Sequence, residues 1–441
     1  MANVYQITEY GSFVSDRDVP GCKSLPAKTF EQLKDFILSN RSKDTDALEL
    51  MQLSARRGVG EILTAQNFVG MIAMKDGTVI EILPKIWSHE EENQNRTKKL
   101  LIDMLRTLRI APFRNLQTAG MDVARLDVFD IFIRMFINEV FWVVKRGLKN
   151  DYQTIQQNET FFKGRLLIAQ NIRQNIAHKE RSFIEFDDYN ANRPENRLIK
   201  TTLVYLLMKT HSSKNKSDLK MLISRFDQVD VSDSVEDDFR KCVPDRNMKD
   251  YEMALVWCRV FLQGKSFTSY AGSQVAVALL FPMETLFESY IAAKLTKALA
   301  GSDYLVSVQD RMYHLFDEPR RFSMRPDIVV RNRKDKSCFI LDTKWKVLAE
   351  DKFNYGISQA DMYQMYAYQK KYDANHVRLV YPMTKKLTPE EPISYKALDG
   401  AQVHVEFVDL YDINNSIEGL VNRIIFADKD SLEYDLMETV G

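Results

Sequence analysis

The chain has 441 residues, and its 61 Lys and Arg balance 61 Asp and Glu, so the formal net charge is zero. Apolar residues make up 45% and charged residues 28%, a composition that excludes a disordered, collagenous or coiled-coil protein. At roughly 150 residues per domain the length predicts two to three domains, and the balanced charge means that any nucleic-acid surface must be local.

Residues 1–94 are predicted to form a small α+β domain. FEQLKDFILSN has helical spacing, and the apolar runs FVGMIAM and TVIEILPKI flank Lys75-Asp76-Gly77, which is a hairpin pattern. The polar stretch 89–96 is predicted to be a linker. The sequence leaves open whether this domain contacts a partner protein or DNA.

Residues 95–265 are predicted to be a mostly helical middle region that docks a partner. KKLLIDMLRTL and VFDIFIRMFINEVFWVVKRG have apolar residues at helical spacing, and Gly147 is a natural helix end. The polar stretches 212–218 and 231–238 are predicted to be loops. The apolar stretch 128–144 contains several charges, so it fails as a membrane span.

The chain is expected to be cytoplasmic and to have no membrane partner. Its first residues lack the basic and apolar regions of a signal peptide. Its four cysteines form no CxxC pair, which argues against a disulfide framework and against a zinc site.

Residues 266–441 begin with a helical segment and then alternate strand and helix patterns, which predicts a third domain. Charge is uneven here: 311–352 holds eleven Lys and Arg against seven Asp and Glu, and 405–441 holds two against nine. The second stretch is expected to be a solvated acidic face.

Two strand-like runs, FSMRPDIVVRN and SCFILDTKWKV, are separated by a polar turn and predict an antiparallel hairpin. A turn centred between Lys334 and Asp335 places Asp327 opposite Asp342. Lys344 then lies on the same face as Asp342, and Thr343 points the other way. Opposed carboxylates are unfavourable unless something offsets them, and a Mg²⁺ ion would do so. The alternative is an exposed strand end with three solvated charges.

Two helix-like runs flank this pair. FPMETLFESYIAAKLTKAL places Glu284 and Glu288 on one helix face, and SQADMYQMYAYQKKY places Gln364 and Tyr368 on one face. Either run alone would be read as an ordinary core or surface helix.

The order helix-Glu, R-P-D, D-T-K, Q-x-x-x-Y resembles the PD-(D/E)xK nuclease superfamily. The resemblance implies an α/β domain with a mixed sheet flanked by helices, within an α+β multidomain chain. It implies that Asp327, Asp342 and a helical Glu hold one or two Mg²⁺ ions while Lys344 assists the attacking water. Glu288 is the preferred helical acid and Glu284 the alternate. Gln364 and Tyr368 would support the site or contact phosphate.

Further stretches sharpen the resemblance: RGLKNDYQTIQQNETFFKGRLLIAQNIRQN, FIEFDDYNANRPENRLIKTTLVYLL and the MxxLFExY helix. With the RPD…LDTK pair, they are similar to McrC, the nuclease family of McrBC-type, modification-dependent restriction systems. This implies an endonuclease that acts on double-stranded DNA when docked on a McrB-like AAA+ GTPase hexamer. That partner recognises modified cytosine, and the nuclease stimulates its GTP hydrolysis.

The sequence contains no GxxxxGK[ST], so the chain itself is expected to bind no nucleotide. Double-strand cleavage usually needs two nuclease sites, which would bring dimerisation of the nuclease subunits. Two alternatives stay open: a non-catalytic adaptor that activates an AAA+ motor, and a stand-alone PD-(D/E)xK repair nuclease. The net charge of +4 in 311–352 disfavours unaided tight DNA binding by the latter.

Overall fold

The computed structural model describes residues 4–39, 50–74, 76, 78–86, 94–108, 128–242, 248–263, 275–384, 387 and 392–438. Lys75 and Gly77 of the predicted turn lie outside these residues, as does the 89–93 part of the predicted linker. Within the described part of the chain, every helix is too short or too polar to cross a membrane.

The N-terminal part contains two sheets that share one apolar core with a helix. Its elements are β1 (Val4–Thr8), β2 (Ser12–Ser15), β3 (Cys22–Leu25), α1 (Ala27–Ser39), β4 (Met51–Arg56), β5 (Gly60–Ala65), β6 (Phe68–Met74) and β7 (Val79–Leu83). One sheet has the order β3-β2-β5-β4, and the other begins β1-β7-β6. The predicted helix is confirmed as α1, and the predicted hairpin is confirmed by the antiparallel pairing of β6 with β7.

The middle region consists of helices around an apolar core, with one small sheet. Its elements are α2 (Gln94–Leu105), α3 (Val128–Arg146), β8 (Asp151–Glu159), β9 (Arg165–Leu166), α4 (Ile168–Asn175), β10 (Ser182–Asn190), α5 (Pro194–Lys209), α6 (Ser213–Arg225), α7 (Val235–Lys241) and α8 (Glu252–Gln263). The predicted helix α3 ends where expected, because Gly147 adopts φ +88°. Phe132 and Phe261 of the core pack against Trp257 from two sides.

Three stretches of the middle region differ from expectation: 151–190, 212–218 and 235–238, the last of which begins helix α7. Residues 151–190 form the three-stranded sheet β8-β10-β9 with α4 against it, instead of more helix. The strands are mostly exposed and rich in polar residues, so they carry little of the apolar alternation that identifies a strand. The stretch 212–218 begins helix α6, because the Ser212 side chain accepts the Asn215 N–H and caps the helix.

Strand β11 (Val275–Pro282) follows the middle region and joins the N-terminal sheet. It pairs antiparallel with β6, which completes the order β1-β7-β6-β11. Gly70 permits this close pairing: its φ is +135°, and a Cβ there would lie 2.0 Å from the Leu279 carbonyl oxygen. The domain limits 1–94, 95–265 and 266–441 stay predictions, and β11 lies in the last range while pairing with a strand in the first.

The C-terminal part is built on a six-stranded mixed sheet. Its elements are α9 (Met283–Ala298), β12 (Tyr304–Val308), β13 (His314–Phe316), β14 (Arg321–Ser323), β15 (Ile328–Asn332), β16 (Cys338–Thr343), α10 (Gln359–Tyr372), β17 (His376–Pro382), β18 (Ser394–Lys396), β19 (Gln402–Val408) and α11 (Ile413–Glu438). The sheet order is β12-β15-β16-β17-β19-β18. Strands β16, β17 and β19 run parallel, while the β12–β15, β15–β16 and β18–β19 pairs are antiparallel.

Helices cover both faces of this sheet. Helices α9 and α11 share one core with alternate residues of β15 and β16. Helix α10 packs on the opposite face, in a second core with the residues between them. All six residues of β16 are consequently buried. A polar side chain at the end of β16 therefore sits in a largely dry environment, and it needs a partner there.

Candidate active site

The predicted register of the hairpin formed by β15 and β16 is confirmed. Ile328 of β15 pairs with Leu341 of β16, and one further step along the ladder brings Asp327 opposite Asp342. Asp342 is only 1% exposed. Two carboxylates therefore meet at the end of a buried strand, and burial raises the pKa of Asp342, with the Asp327 charge adding to the effect.

Thr343 was expected to point away from this pair, and that expectation was wrong. Its backbone N–H and its hydroxyl both donate to Asp327 Oδ2, at 2.7 and 2.8 Å. Asp327 lies just before the first residue of β15, so its side chain is free to reach the backbone of the neighbouring strand. Burial still raises the pKa of Asp327, although both Thr343 donors act against that rise.

Lys344 lies beside the carboxylate pair. Its Nζ is 2.6 Å from Asp342 Oδ2 and 3.8 Å from Asp361 Oδ1. Burial works against the Lys344 charge, but the Asp342 carboxylate outweighs it and raises the pKa of Lys344. The ammonium is therefore held protonated near neutral pH.

Gln364 and Tyr368 extend this arrangement from helix α10. Lys344 Nζ donates to Gln364 Oε1 at 3.3 Å, and Gln364 Nε2 donates to the Tyr368 hydroxyl oxygen at 2.8 Å. The Ser358 side chain caps α10 by accepting the Asp361 N–H, which fixes where the helix begins. The helix thus holds the lysine from the face of the sheet opposite to α9.

The two helical acids of α9 are in different surroundings. Glu288 is half-buried, and burial followed by the Asp327 charge raises its pKa to about 7. Glu284 is exposed and instead accepts from the Asn67 amide of the N-terminal part. The geometry therefore groups Glu288, but not Glu284, with the carboxylate pair.

Three carboxylates share this site, and their donor chemistry fits a hard divalent cation. Apart from Lys344 Nζ at 2.6 Å, Asp342 Oδ2 has no polar partner among the described residues. A bound cation would offset the cost of burying the carboxylates and their mutual repulsion, which are the two effects that raise their pKa values. As the side chains stand, however, no three His, Cys, Asp or Glu residues of the described chain converge on a common metal position. Asp327 is held by Thr343, and Glu288 accepts from Gln309.

Several neighbours of the site were missed in the sequence. Gln309 Nε2 donates to Glu288 at 2.6 Å. The Trp345 indole N–H lies 3.0 Å from both carboxylate oxygens of Glu9, at the end of β1. Glu9 is separated from Trp345 by 336 residues, so no local spacing could have paired them. The D-T-K-W run itself was the available signal, since a Trp buried beside the site needs an acceptor for its N–H.

A cleft of about 950 Å³ opens beside Glu288. Its lining includes Thr285 and Ser289 from α9, together with Gln309 and Arg325. Hydroxyls and a guanidinium are donors suited to phosphate oxygens. Of the three carboxylates only Glu288 lines this cleft, and its lining mixes these donors with apolar residues of α9 and β12.

Comparison with known proteins identifies one matching sequence family and one similar fold. The sequence model of the family described as "McrBC 5-methylcytosine restriction system component" matches residues 63–382. No curated protein sequence matches the chain. A solved half-complex of Thermococcus gammatolerans McrB AAA+ hexamers with bound McrC contains a chain that is 19% identical with a TM-score of 0.63, over 96% of this chain and 100% of that one. A chain of the Thermococcus gammatolerans McrBC complex is also 19% identical, with a TM-score of 0.45, over 68% and 88%.

Proposed function

Because this chain belongs to the family of McrBC 5-methylcytosine restriction system components, we propose that it is the McrC-type DNA endonuclease subunit of such a system. Its C-terminal part would be a PD-(D/E)xK nuclease domain that hydrolyses DNA phosphodiesters. The enzyme would be a deoxyribonuclease of the modification-dependent restriction class. It would act as part of an antiviral defence.

The observation that carries this proposal is the opposed pair Asp327 and Asp342 with Lys344 beside it. Burying two like charges at one strand end is costly unless a ligand offsets them, so a purely structural role gives no reason for this set. Glu288 adds a third carboxyl from α9, and the cleft opens beside it. Phosphodiester hydrolysis uses these groups: a water oxygen forms a bond to phosphorus, and the P–O bond to one sugar breaks.

Lys344 would orient the attacking water and offset the charge that builds on the phosphate. Its raised pKa keeps the ammonium protonated, which favours these roles over removal of a proton from water. Gln364 holds Nζ in place, and Tyr368 in turn holds Gln364. Both would be supporting residues, since a lysine with several rotatable bonds needs such contacts to stay aimed.

Asp327, Asp342 and Glu288 would hold one or two Mg²⁺ ions. Mg²⁺ prefers oxygen ligands and commonly takes one or two carboxylates together with waters and phosphate oxygens. When bound, it would supply Lewis-acid stabilisation of the phosphate charge. Thr343 would keep Asp327 aimed at that position through its two donated hydrogen bonds.

The proposed partner is a McrB-like AAA+ GTPase hexamer that recognises DNA with modified cytosine. The half-complex from Thermococcus gammatolerans pairs McrC with McrB AAA+ hexamers, and this arrangement is carried over as part of the proposal. The lack of a GxxxxGK[ST] motif is in keeping with a motor in another subunit. Stimulation of the partner's GTP hydrolysis belongs to the same proposal.

The arm formed by residues 151–190 is the proposed docking surface for that partner. It consists of β8, β9, α4 and β10, and it exposes an unusual number of large apolar side chains. These are Tyr152, Phe161, Phe162, Ile168, Ile172, Ile176 and Tyr189. The Tyr152 and Tyr189 rings are in contact, with centroids 5.0 Å apart, and exposed apolar patches often mark a protein interface.

The test is a cleavage assay with the full chain, Mg²⁺, GTP and the AAA+ protein encoded beside it, on plasmids with and without modified cytosine. Lys344→Ala should reduce cleavage below detection while leaving partner binding intact. Lys346→Ala is the matched control, because Lys346 is two residues away and exposed. That variant should cut like the wild type.

Other outcomes would select other functions. Cleavage that survives Lys344→Ala would reject the proposed site. Cleavage without partner or GTP would indicate a stand-alone nuclease. Stimulated GTP hydrolysis with no cleavage under any condition would indicate an adaptor.

A further inference from the structure

A small hairpin is rooted at the candidate site at both of its ends. We call residues 311–323 the rim hairpin; it contains β13 and β14, which pair antiparallel. It leaves the sheet after Gln309, which donates to Glu288, and it returns through Arg325 to Asp327. Arg325 also donates to the Gln309 side chain, which ties the two ends together. Whatever the rim hairpin contacts therefore lies next to the carboxylate cluster.

The rim hairpin exposes a surface of aromatic rings and arginines. Phe316 is 55% exposed and Phe322 is 72% exposed, with their rings 5.9 Å apart at right-angled orientation. Arg311, Arg320 and Arg321 are also exposed, and no ion pair within 4 Å involves them among the described residues, although the Arg320 charge helps to lower the pKa of Asp317. Exposed aromatic rings beside exposed guanidinium groups suit a DNA partner, whose phosphates bind the arginines and whose sugars or base steps contact the rings.

Phe322 is also strained. Its φ is +58°, a left-handed conformation that bulky residues avoid. The protein thus accepts both backbone strain and exposure of a large ring at one position. Such strain persists at sites where function sets the conformation.

The rim hairpin is fixed on helix α10. Lys371 Nζ bonds Asp317 at 2.7 Å, and the Tyr313 ring packs edge-on against Tyr372 with centroids 4.6 Å apart. The Met324 N–H donates to the Tyr313 carbonyl and closes the base of the hairpin. The exposed tip is therefore held in place against the helix that carries Gln364.

We propose that the rim hairpin binds duplex DNA beside the phosphate that is cut, with Arg320 and Arg321 on the backbone and Phe322 against the bases or sugars. This inference rests on the proposed function, because it places the DNA substrate of that same site against the rim hairpin. Asp327 is the seventh residue after Arg320, and an extended chain of seven steps reaches at most ~23 Å. At 3.4 Å per base pair, the contact falls within ~7 base pairs of the cut.

The first test is a photo-crosslink. The full chain is made with Phe322→p-benzoylphenylalanine and irradiated with labelled duplex DNA, in the presence of the AAA+ protein and GTP. Trp142→p-benzoylphenylalanine, at an exposed position of α3, is the matched control. We expect a protein–DNA crosslink only at position 322, mapping within ~7 base pairs of the cut.

The second test is salt dependence of DNA binding by the full chain. The double variant Arg320→Ala/Arg321→Ala should bind at least about tenfold more weakly at 0.1 M salt, and the slope of log K against log salt should fall by about 2. Lys214→Ala/Lys216→Ala removes the same charge from exposed positions of α6 and should leave the slope as in the wild type.

A crosslink to the AAA+ protein instead of DNA would overturn the proposal, as would an unchanged salt slope in the arginine variant. Cleavage is needed only to map the crosslink relative to the cut; the crosslink itself and the salt slope can be measured without it. If the wild type never cuts DNA, the proposed function fails, whereas the crosslink and the slope still decide whether the rim hairpin contacts DNA.

Discussion

Glu9 should set a pH limit on the stability of the chain. It lies at the end of β1 with both oxygens 3.0 Å from the Trp345 indole nitrogen, and its Oε1 also accepts the Lys85 N–H at 3.0 Å. Burial raises its pKa to about 8, and these donors only partly oppose the rise. The perturbation that isolates this effect is Glu9→Gln, which keeps the shape and removes the charge.

The size of the effect follows from the two pKa values. The folded state holds the Glu9 proton up to about pH 8, whereas the unfolded chain releases it near 4.5. The group therefore contributes most to stability below pH 4.5, and this contribution is lost as the pH rises through 8. At ~1.36 kcal/mol per pKa unit, the wild type should lose about 3 kcal/mol relative to Glu9→Gln between pH 5.5 and pH 8.

The assay is urea unfolding of the wild type and of Glu9→Gln at pH 5.5 and pH 8, with midpoint and slope measured for each. The side-chain amide that this substitution introduces would leave a buried N–H group poorly paired, at a cost of about 1–3 kcal/mol. This cost is the same at both pH values, so it cancels when the two differences are compared. Glu350→Gln, which removes an exposed carboxylate, is the control.

The reasoning would be refuted if the difference between wild type and Glu9→Gln were the same at both pH values. It would also be refuted if the variant lost stability relative to the wild type as the pH rose. Either result would mean that Glu9 is ionised in the folded protein at neutral pH.

Three further predictions concern packing and the candidate site. Gly70→Ala should destabilise the fold by at least about 2 kcal/mol in urea unfolding, because its Cβ would overlap the Leu279 carbonyl at a left-handed φ; wild-type stability would contradict the close pairing of β6 and β11. Thr343→Val should lower the cleavage rate by about tenfold with an unchanged circular-dichroism spectrum, since Asp327 loses one of its two donors; an unchanged rate would mean that this hydroxyl does not aim the carboxylate. EDTA should stop cleavage and added Mg²⁺ should restore it; cleavage in EDTA would exclude the proposed metal role.

The hairpin of β15 and β16 was predictable because the sequence pattern that sets it is local. Two apolar strands around a polar turn set the register, and the register alone brings Asp327 opposite Asp342. Helical spacing similarly predicted α1 and α3. The hairpin, α1 and α3 each bury one or more faces in an apolar core, so apolar residues recur in their sequences at regular spacing.

The missed features depend on contacts between distant parts of the chain. The strands of the 151–190 arm are exposed and polar, so they lack the pattern that burial imposes on a sequence. Glu9 and Trp345 meet only because β1 lies beside the end of β16 in the folded chain. Thr343 bonds to Asp327 because Asp327 lies before β15, where the alternation of side chains along the strand no longer fixes their direction.

Strand β11 runs directly into α9, so a movement of the N-terminal sheet is transmitted to Glu288. Strand β11 ends at Pro282, α9 begins at Met283, and the Met283 N–H is tied to the Asn67 carbonyl at 3.0 Å. Glu288 follows six residues after Pro282, or ~9 Å at 1.5 Å per residue. A rotation of the sheet by ~10° would thus displace Glu288 by ~1.5 Å, and a misplacement of about 1 Å can slow an enzyme by ~100-fold. A movement of the N-terminal sheet would therefore shift Glu288, which lies in the second turn of α9, and would change the rate of the proposed reaction.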